Sequence, residues 1–277
     1  MKNYGDKTTM SEELEGKHGV QSLEIGMSIL RAMVHGQRSM MLKDIAAAAD
    51  MPASKAHRYL VSLIRAGLVE QDPLTSRYDL GPFSLNIGLV AIDRLDRVRL
   101  GLTEIARLRD EINETTALAV WSDHGPVIVR WERPRRAITV NVVTGTALNM
   151  LNSASGRVFA AWHRNDTVDR LIAQELKTRT MPPELQTRAQ VDEMLAQVRR
   201  DGYAALSDFY MARGVEAVAA PVFNFRNEIT MSIVVVGVKG MFDMRADGKV
   251  VSALRRSASD LSLRLGYTGS DTLPAAS

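Results

Sequence analysis

Lys55, Arg58, Ser62 and Arg65 recur at i, i+3, i+7 and i+10, so a helix would carry them on one side. No Asp or Glu interrupts the stretch from Met51 to Val69. Guanidinium and ammonium groups without carboxylate neighbours can meet phosphates, and the same side chains can hydrogen-bond base edges. Ser54, Lys55, His57 and Arg58 fall nearest the start of that helix, where a groove-reading helix makes its contacts. A charged helix side is by itself usually a solvated surface, so the pattern needs a scaffold before it means more. Residues 20–80 hold seven Lys/Arg against six Asp/Glu, and the inference therefore rests on placement and not on bulk charge.

The flanking chain supplies a scaffold. Leu42–Ala49 is rich in alanine, the best helix former, with Ile45, Ala46 and Ala49 on one side. Asp50 stands where the chain must turn, and Asp tolerates a left-handed backbone. Pro52 suits the first turn of a new helix, where its missing N–H costs nothing. Ala56, Tyr59, Leu60, Leu63 and Ile64 then repeat at i, i+3, i+4, i+7 and i+8, a buried face opposite the cations. Gly67 ends the helix, Leu68–Gln71 alternates like a strand, Asp72–Ser76 is turn chemistry, and Arg77–Leu80 returns. Arg77 near the tip is placed for the minor groove or a phosphate. Upstream, Leu23, Met27, Leu30 and Val34 have helical spacing. Helix, turn, helix and hairpin in this order predict a winged helix-turn-helix over residues 19–82, with double-stranded DNA as its partner.

Several stretches carry a family likeness. Val20-Gln21-Ser22-Leu23, Asp44-Ile45-Ala46, Met51-Pro52, Ser54, His57-Arg58, Gly67–Pro73 and Arg77–Gly81 resemble the N-terminal half of the IclR family of bacterial transcription regulators. Gly202-Tyr203-Ala204, Gly214-Val215 and Ala219–Val222 resemble its effector-binding half more loosely. The likeness spans residues 20–267. It implies an α+β chain in which an N-terminal winged helix-turn-helix is joined by a linker helix to a GAF-like α/β effector-binding domain. It also implies a small-molecule effector, a homodimer or dimer of dimers, and no cofactor.

The same resemblance points to a pocket. In the family, the loop and helix start after the third sensor strand, with residues of two later strands, line the effector cavity. That loop is Leu148–Arg157 here. Asn152, Ser153, Ala154, Ser155 and Gly156 offer hydroxyl, amide and backbone N–H groups at a helix start, which suit a carboxylate; they suit an ordinary helix cap as well. Where the family often has Leu-His-Ala-Thr, this chain has Met150-Leu151-Asn152-Ser153. Ala217 stands where a small polar residue or cysteine is common, and Val234 and Val236 where two serines are. Three polar contacts thus become apolar, which predicts a bulkier organic acid, aromatic or otherwise apolar. Trp121, Met150, Phe209 and Tyr210 would supply walls, and Asp208 falls near a position where the family frequently holds an acid. Arg130, Arg133, Arg135 and Arg136 form a basic cluster near a strand end, which suits an anionic ligand but reads first as surface.

Composition narrows the rest. The 277 residues are 45% hydrophobic, enough for a substantial core, and the net charge of +3 is only mildly basic. The absence of cysteine excludes disulfides, thiol nucleophiles and cysteine-ligated zinc. No GxGxxG, P-loop, HExxH or GxSxG motif occurs, and His18, His35, His57, His124 and His163 form no i, i+4 pair. No catalytic residue and no metal site is therefore expected, and the chain reads as a non-enzyme. No apolar run reaches the roughly 20 residues of a membrane helix, and the N-terminus lacks an apolar signal core, so a cytoplasmic location is expected. The longest run, Ile229–Val238, reads as a buried strand.

Along the chain, residues 1–18 and 268–277 look like tails. Phe83–Arg99 places Leu85, Leu89, Ile92 and Leu95 at helical spacing, predicting a linker helix over 83–100 that is also a dimer seam. Residues 101–267 then form the effector domain. Its expected helices are Leu102–Glu114, Asn152–Trp162, Asp166–Gln174, Gln190–Asp201 and Val250–Leu265, with a break at Met181-Pro182-Pro183. Its strands are Ala117–Trp121, Val127–Trp131, Ile138–Val143, Val215–Val222 and Thr230–Val238, in an antiparallel layout. The mechanism expected is linkage. A symmetric dimer reads a palindromic operator, and an effector favouring one arrangement changes operator affinity by about 1–3 kcal/mol. The rival is a GAF-like metabolite-binding protein or enzyme whose winged helix serves protein contacts, which would lack the steep salt dependence of a DNA reader.

Overall fold

The structure, a computed structural model, describes residues 19–36, 38–93, 96–135, 144–163, 165–178, 185–207, 214–241 and 243–269. The expected tail at 1–18, all of the expected tail at 268–277 but its first two residues, the strand Ile138–Val143, the Met181-Pro182-Pro183 break, Arg136, and the pocket residues Asp208, Phe209 and Tyr210 lie outside the described residues. The chain divides into two compact units between Leu95 and Asp96.

The first unit contains α1 (Gln21–His35), α2 (Leu42–Ala48), α3 (Ala53–Arg65), the hairpin β1 (Val69–Gln71) and β2 (Tyr78–Leu80), and α4 (Pro82–Asp93). The turn between α2 and α3 is made at Asp50, whose φ of 50° is left-handed. Gly67, at φ 72°, reverses the chain after α3 and lets Leu68 N–H donate to the Leu63 carbonyl. Ile45 and Ala46 of α2, Ala56, Leu60 and Leu63 of α3, Val69 and Tyr78 of the hairpin, and Ile29 and Met33 of α1 close into one core. The hairpin turn is held by Asp72, whose Oδ1 accepts from the N–H groups of Leu74 and Thr75 at 2.7 and 3.2 Å. Those donations hold its carboxyl below the usual range.

Two helices depart from the sequence expectation. In α1 the buried residues are Gly26, Ile29 and Met33. Leu23, Met27 and Val34, which have the helical spacing, are 64%, 42% and 57% exposed. The helix is apolar on two sides, and spacing alone cannot say which side is covered. The expected linker helix over 83–100 is not one helix. It ends at Asp93, and a new helix begins at Arg97, capped by Asp96, whose side chain accepts from Arg99 N–H at 2.9 Å. An N-cap aspartate starts a helix, and it outweighs the continuous apolar spacing. α4 itself carries no ionisable side chain from Pro82 to Ile92, and Phe83, Leu85, Ile87, Leu89 and Val90 are exposed. Its start is tied to the hairpin: Phe83 N–H donates to the Gly67 carbonyl and Ser84 Oγ to the Leu68 carbonyl.

The second unit runs α5 (Arg97–Ile112), β3 (Thr115–Ser122), β4 (Gly125–Glu132), α6 (Ala154–Trp162), α7 (Asp166–Lys177), α8 (Arg188–Asp201), β5 (Ala204–Ser207), β6 (Val215–Phe223), β7 (Ile229–Val238) and α9 (Lys249–Arg264). The strands pair antiparallel in the order β4-β3-β7-β6-β5. Gly101 of α5 faces Leu118 and Met231 on one side of the sheet, and α5 packs on α9. α6 packs on β6, β7 and α8 with the other sheet face. Arg107 of α5 donates to Glu104 at 2.6 Å and to Ser257 Oγ of α9 at 3.0 Å, a polar tie beneath the apolar contact. β5 is not visible in the sequence. It is a four-residue edge strand without β-branched residues, held by pairing with Glu216–Ala219. No described strand pairs with Ala220–Phe223 on that side. Among the described residues no helix is long and apolar enough to cross a membrane.

Candidate functional site

The first unit presents α3. Ala56 and Leu60 point into the core, so Ser54, His57, Arg58 and Ser62 are exposed on the other side and Lys55 is half-buried at its margin. Among the described residues, Lys55, His57 and Arg58 have neither an ion pair nor a side-chain hydrogen bond. Ser62 Oγ lies 3.4 Å from the Arg58 carbonyl, to which it donates. Arg77 is more constrained than the sequence suggests. It lies just ahead of β2, and its Nη1 donates to the Ser39 carbonyl at 3.0 Å while the side chain stays exposed. The surface left is cationic, unneutralised and rigidly backed, which is the chemistry a phosphate-lined groove requires.

The second unit presents the loop before α6. Leu148 N–H donates to the Pro126 carbonyl, fixing the loop to the start of β4. Ser153 Oγ accepts from Gly156 N–H at 2.9 Å and donates to the Asn149 carbonyl at 2.7 Å. Its hydroxyl thus serves the helix cap, the alternative that the sequence also offers. Asn152 is half-buried, and its side chain has no hydrogen bond among the described residues. The N–H groups of Ala154 and Ser155, both buried, likewise have no acceptor among the described residues. Helix N-termini with free N–H groups favour anions. Ser155 Oγ lies 3.4 Å from Ser232 Oγ of β7, a buried polar pair.

The sheet face under α6 is apolar. Ala217 pairs with Val236, Val234 pairs with Ala117 and Ala219, and Ser232 pairs with Ala119 and Pro221. Met150, Ala154, Ala217, Val234 and Val236 belong to one buried cluster, so the structure brings these predicted residues together. Trp121 lies at its border. Its ring is 5.6 Å from Phe159 and edge-on to His163 at 4.4 Å, alongside the C-terminal half of α6. Burial there pushes the His163 imidazole below its ordinary range. Arg130 and Arg135 make surface ion pairs with Glu132 and Asp110.

One residue has no sequence signal. Glu175 of α7 accepts from the N–H groups of Met150 and Leu151 at 2.6 and 2.9 Å. Burial pushes its carboxyl above the usual range, outweighing the donations that pull it down. Arg157 Nε donates to the Leu151 carbonyl at 2.8 Å from the other side. The loop is therefore clamped by side chains on α6 and α7, and no spacing rule connects Glu175 with residues so far back in the chain.

Comparison with known proteins agrees with both halves. The family model described as the IclR helix-turn-helix domain matches residues 22–73, and that described as bacterial transcriptional regulator IclR C-terminal matches residues 90–263. The glycerol operon regulatory protein of Streptomyces griseus is 31% identical over 259 residues, which cover 89% of this chain and 97% of that protein. The crystal structure of Pseudomonas aeruginosa HmgR is similar at a TM-score of 0.80 and 36% identity, covering 91% of this chain and 100% of that one. An IclR homolog from Microbacterium hydrocarbonoxydans, solved as a complex with 4-hydroxybenzoate, shares the fold at a TM-score of 0.51 and 19% identity, covering 88% of this chain and 99% of that one. With an exposed, unpaired α3 in its first unit and family matches along both units, the chain belongs to the IclR family of bacterial DNA-binding transcription regulators.

Proposed function

We propose that this regulator binds a palindromic operator as a dimer, and that a ring-bearing or otherwise apolar organic acid in the second unit sets its affinity. The observation that carries the DNA reading is the exposed face of α3, where Lys55, His57 and Arg58 have no acidic partner among the described residues. Replacing Arg58 with Ala should weaken specific operator binding by about 1–3 kcal/mol if it reads a base. It should leave the fold intact, because Arg58 lies opposite Ala56 and Leu60. Fluorescence anisotropy with the gene's own upstream DNA, with thermal melting as the control, measures both. An unchanged operator affinity would remove Arg58 from the reading set.

The dimer is supported by α4. A helix apolar on all sides is covered in its working state, whereas Leu85 and Leu89 are 64% and 55% exposed in the single chain. Leu23 and Met27 of α1 add to the uncovered apolar area. Leu85→Glu combined with Leu89→Glu should shift the protein to monomer in light scattering and sharply reduce operator binding. A stable dimer in that variant would place the seam elsewhere.

The acid is supported by Asn152 and the open N–H groups of Ala154 and Ser155 on one side, and by the floor of Ala217, Val234 and Val236 on the other. The first would hold a carboxylate and the second an apolar body. The aromatic acid in the Microbacterium homolog is of this chemical kind. A thermal-shift panel of benzoates and small keto acids tests it. Stabilisation by the hydrophilic keto acids alone would reverse the proposed preference.

A further inference from the structure

The second unit holds a cavity of about 680 Å³ whose lining includes none of Leu148–Arg157, Ala217, Val234 and Val236. It opens where β5 stops short and leaves Ala220–Phe223 of β6 without a strand neighbour on that side. Ser252, Arg255, Arg256, Ser259 and Ser262 line it from α9, at the spacing of one helix face. Two of these are committed: Arg256 pairs with Glu111 at 2.6 Å, and Ser262 Oγ accepts from Phe223 N–H and donates to the Ala258 carbonyl. Arg255 is not. It is exposed in the cavity beside Gly202, and among the described residues it has no ion pair and no hydrogen bond.

The same cavity has an aromatic wall. Tyr267 stacks on Phe223 with ring centres 5.1 Å apart, and Trp162 meets Phe223 edge-on at 5.7 Å. A fork of guanidinium N–H donors matches a carboxylate, and aromatic faces match a ring. We propose that this cavity is a second ligand site, specific for a small ring-bearing carboxylate that pairs with Arg255 and lies on the Tyr267–Phe223–Trp162 wall. The site has a physical route to the first one. Trp162 is the last residue of α6, the helix whose first residues carry the open N–H groups of the effector loop. The α6 C-terminus is in turn held by Arg199, which lines the cavity and donates from Nε to the Ala161 carbonyl.

The three tryptophans make the two sites separately readable. Full-length protein labelled with 5-fluorotryptophan gives a ¹⁹F signal for each, assigned with Trp→Phe variants. Titration with benzoate should move the Trp162 signal saturably, and benzamide, lacking the charge, should not. Arg255→Gln, on an exposed side chain, should weaken the Trp162 response by roughly tenfold or more and leave any Trp121 response in place. The proposal is overturned if millimolar benzoate leaves Trp162 unmoved, or if Arg255→Gln responds like the parent. Inorganic phosphate moving Trp162 as readily as benzoate would also overturn it, because the wall would then contribute nothing.

Discussion

Gly156→Ala is expected to lower the melting temperature of the second unit by several degrees and to abolish the response to effector. A Cβ at this position would lie 1.9 Å from the Asn149 carbonyl oxygen and 2.7 Å from Met150 Cα and carbonyl oxygen. All three atoms are backbone, so no rotamer change relieves the clash, and either the loop or the start of α6 must move. Overpacking of this kind costs about 3 kcal/mol or more. Alanine's better helix propensity returns only about 1 kcal/mol, so the contact decides the sign. A loss of about 3 kcal/mol shifts the midpoint by roughly 6–12 °C in a domain of this size. The α3 face belongs to the other unit, so operator binding should persist without ligand control. A variant melting within about 2 °C of the parent would show that the loop yields easily and would remove Gly156 from the site.

Glu175→Ala should destabilise the protein by about 2–4 kcal/mol, through two backbone N–H groups left without an acceptor, each costing about 1–3 kcal/mol when buried. Met150 and Leu151, which carry those groups, are themselves fully buried. Chemical denaturation reads the loss, and a change below about 0.5 kcal/mol would mean that water replaces the carboxylate without penalty. The pH dependence carries a sign. Burial raises the folded-state pKa of Glu175 above its ordinary value, so the folded chain holds that proton more tightly than the unfolded one. The associated stabilisation is fully present below the ordinary glutamate value and is lost as pH rises through the raised one. Glu175→Gln removes this titration. The stability of the parent relative to Glu175→Gln should therefore fall as pH rises across that window, and a difference that grows with pH would contradict the assignment.

The winged helix-turn-helix was legible because each of its parts is local. Asp50 at the turn, the apolar repeat from Ala56 to Ile64 and the stop at Gly67 each have a neighbour-scale cause, and the structure uses each as the residue types suggest. The buried strands β6 and β7 were legible from their valine-rich runs, and α8 extends its expected range by only two residues. What escaped depends on partners distant in sequence. The side of α1 that is covered is decided by α2 and α3, not by its own spacing. Asp96 hides inside a continuous apolar repeat and becomes a helix start only when the chain passes between units. β5 lacks intrinsic strand preference and exists because β6 offers an edge. In the candidate pocket, Ala217, Val234 and Val236 were found through family likeness. Ser153 suits both a ligand and a helix cap by residue type, and its hydrogen bonds form the cap. Glu175 was invisible because nothing local marks a carboxylate that serves a loop two elements away.

The bare sides of Phe83, Leu85, Ile87 and Leu89 have a consequence for how such a switch responds to its own abundance. Water penalises this surface in a solitary chain, and the proposed pairing of two copies would remove the penalty. With the pairing through α4 proposed above, the pool of operator-competent molecules at low copy number would grow with the square of expression, and a modest change in synthesis would become a sharper change in promoter occupancy before any metabolite is sensed.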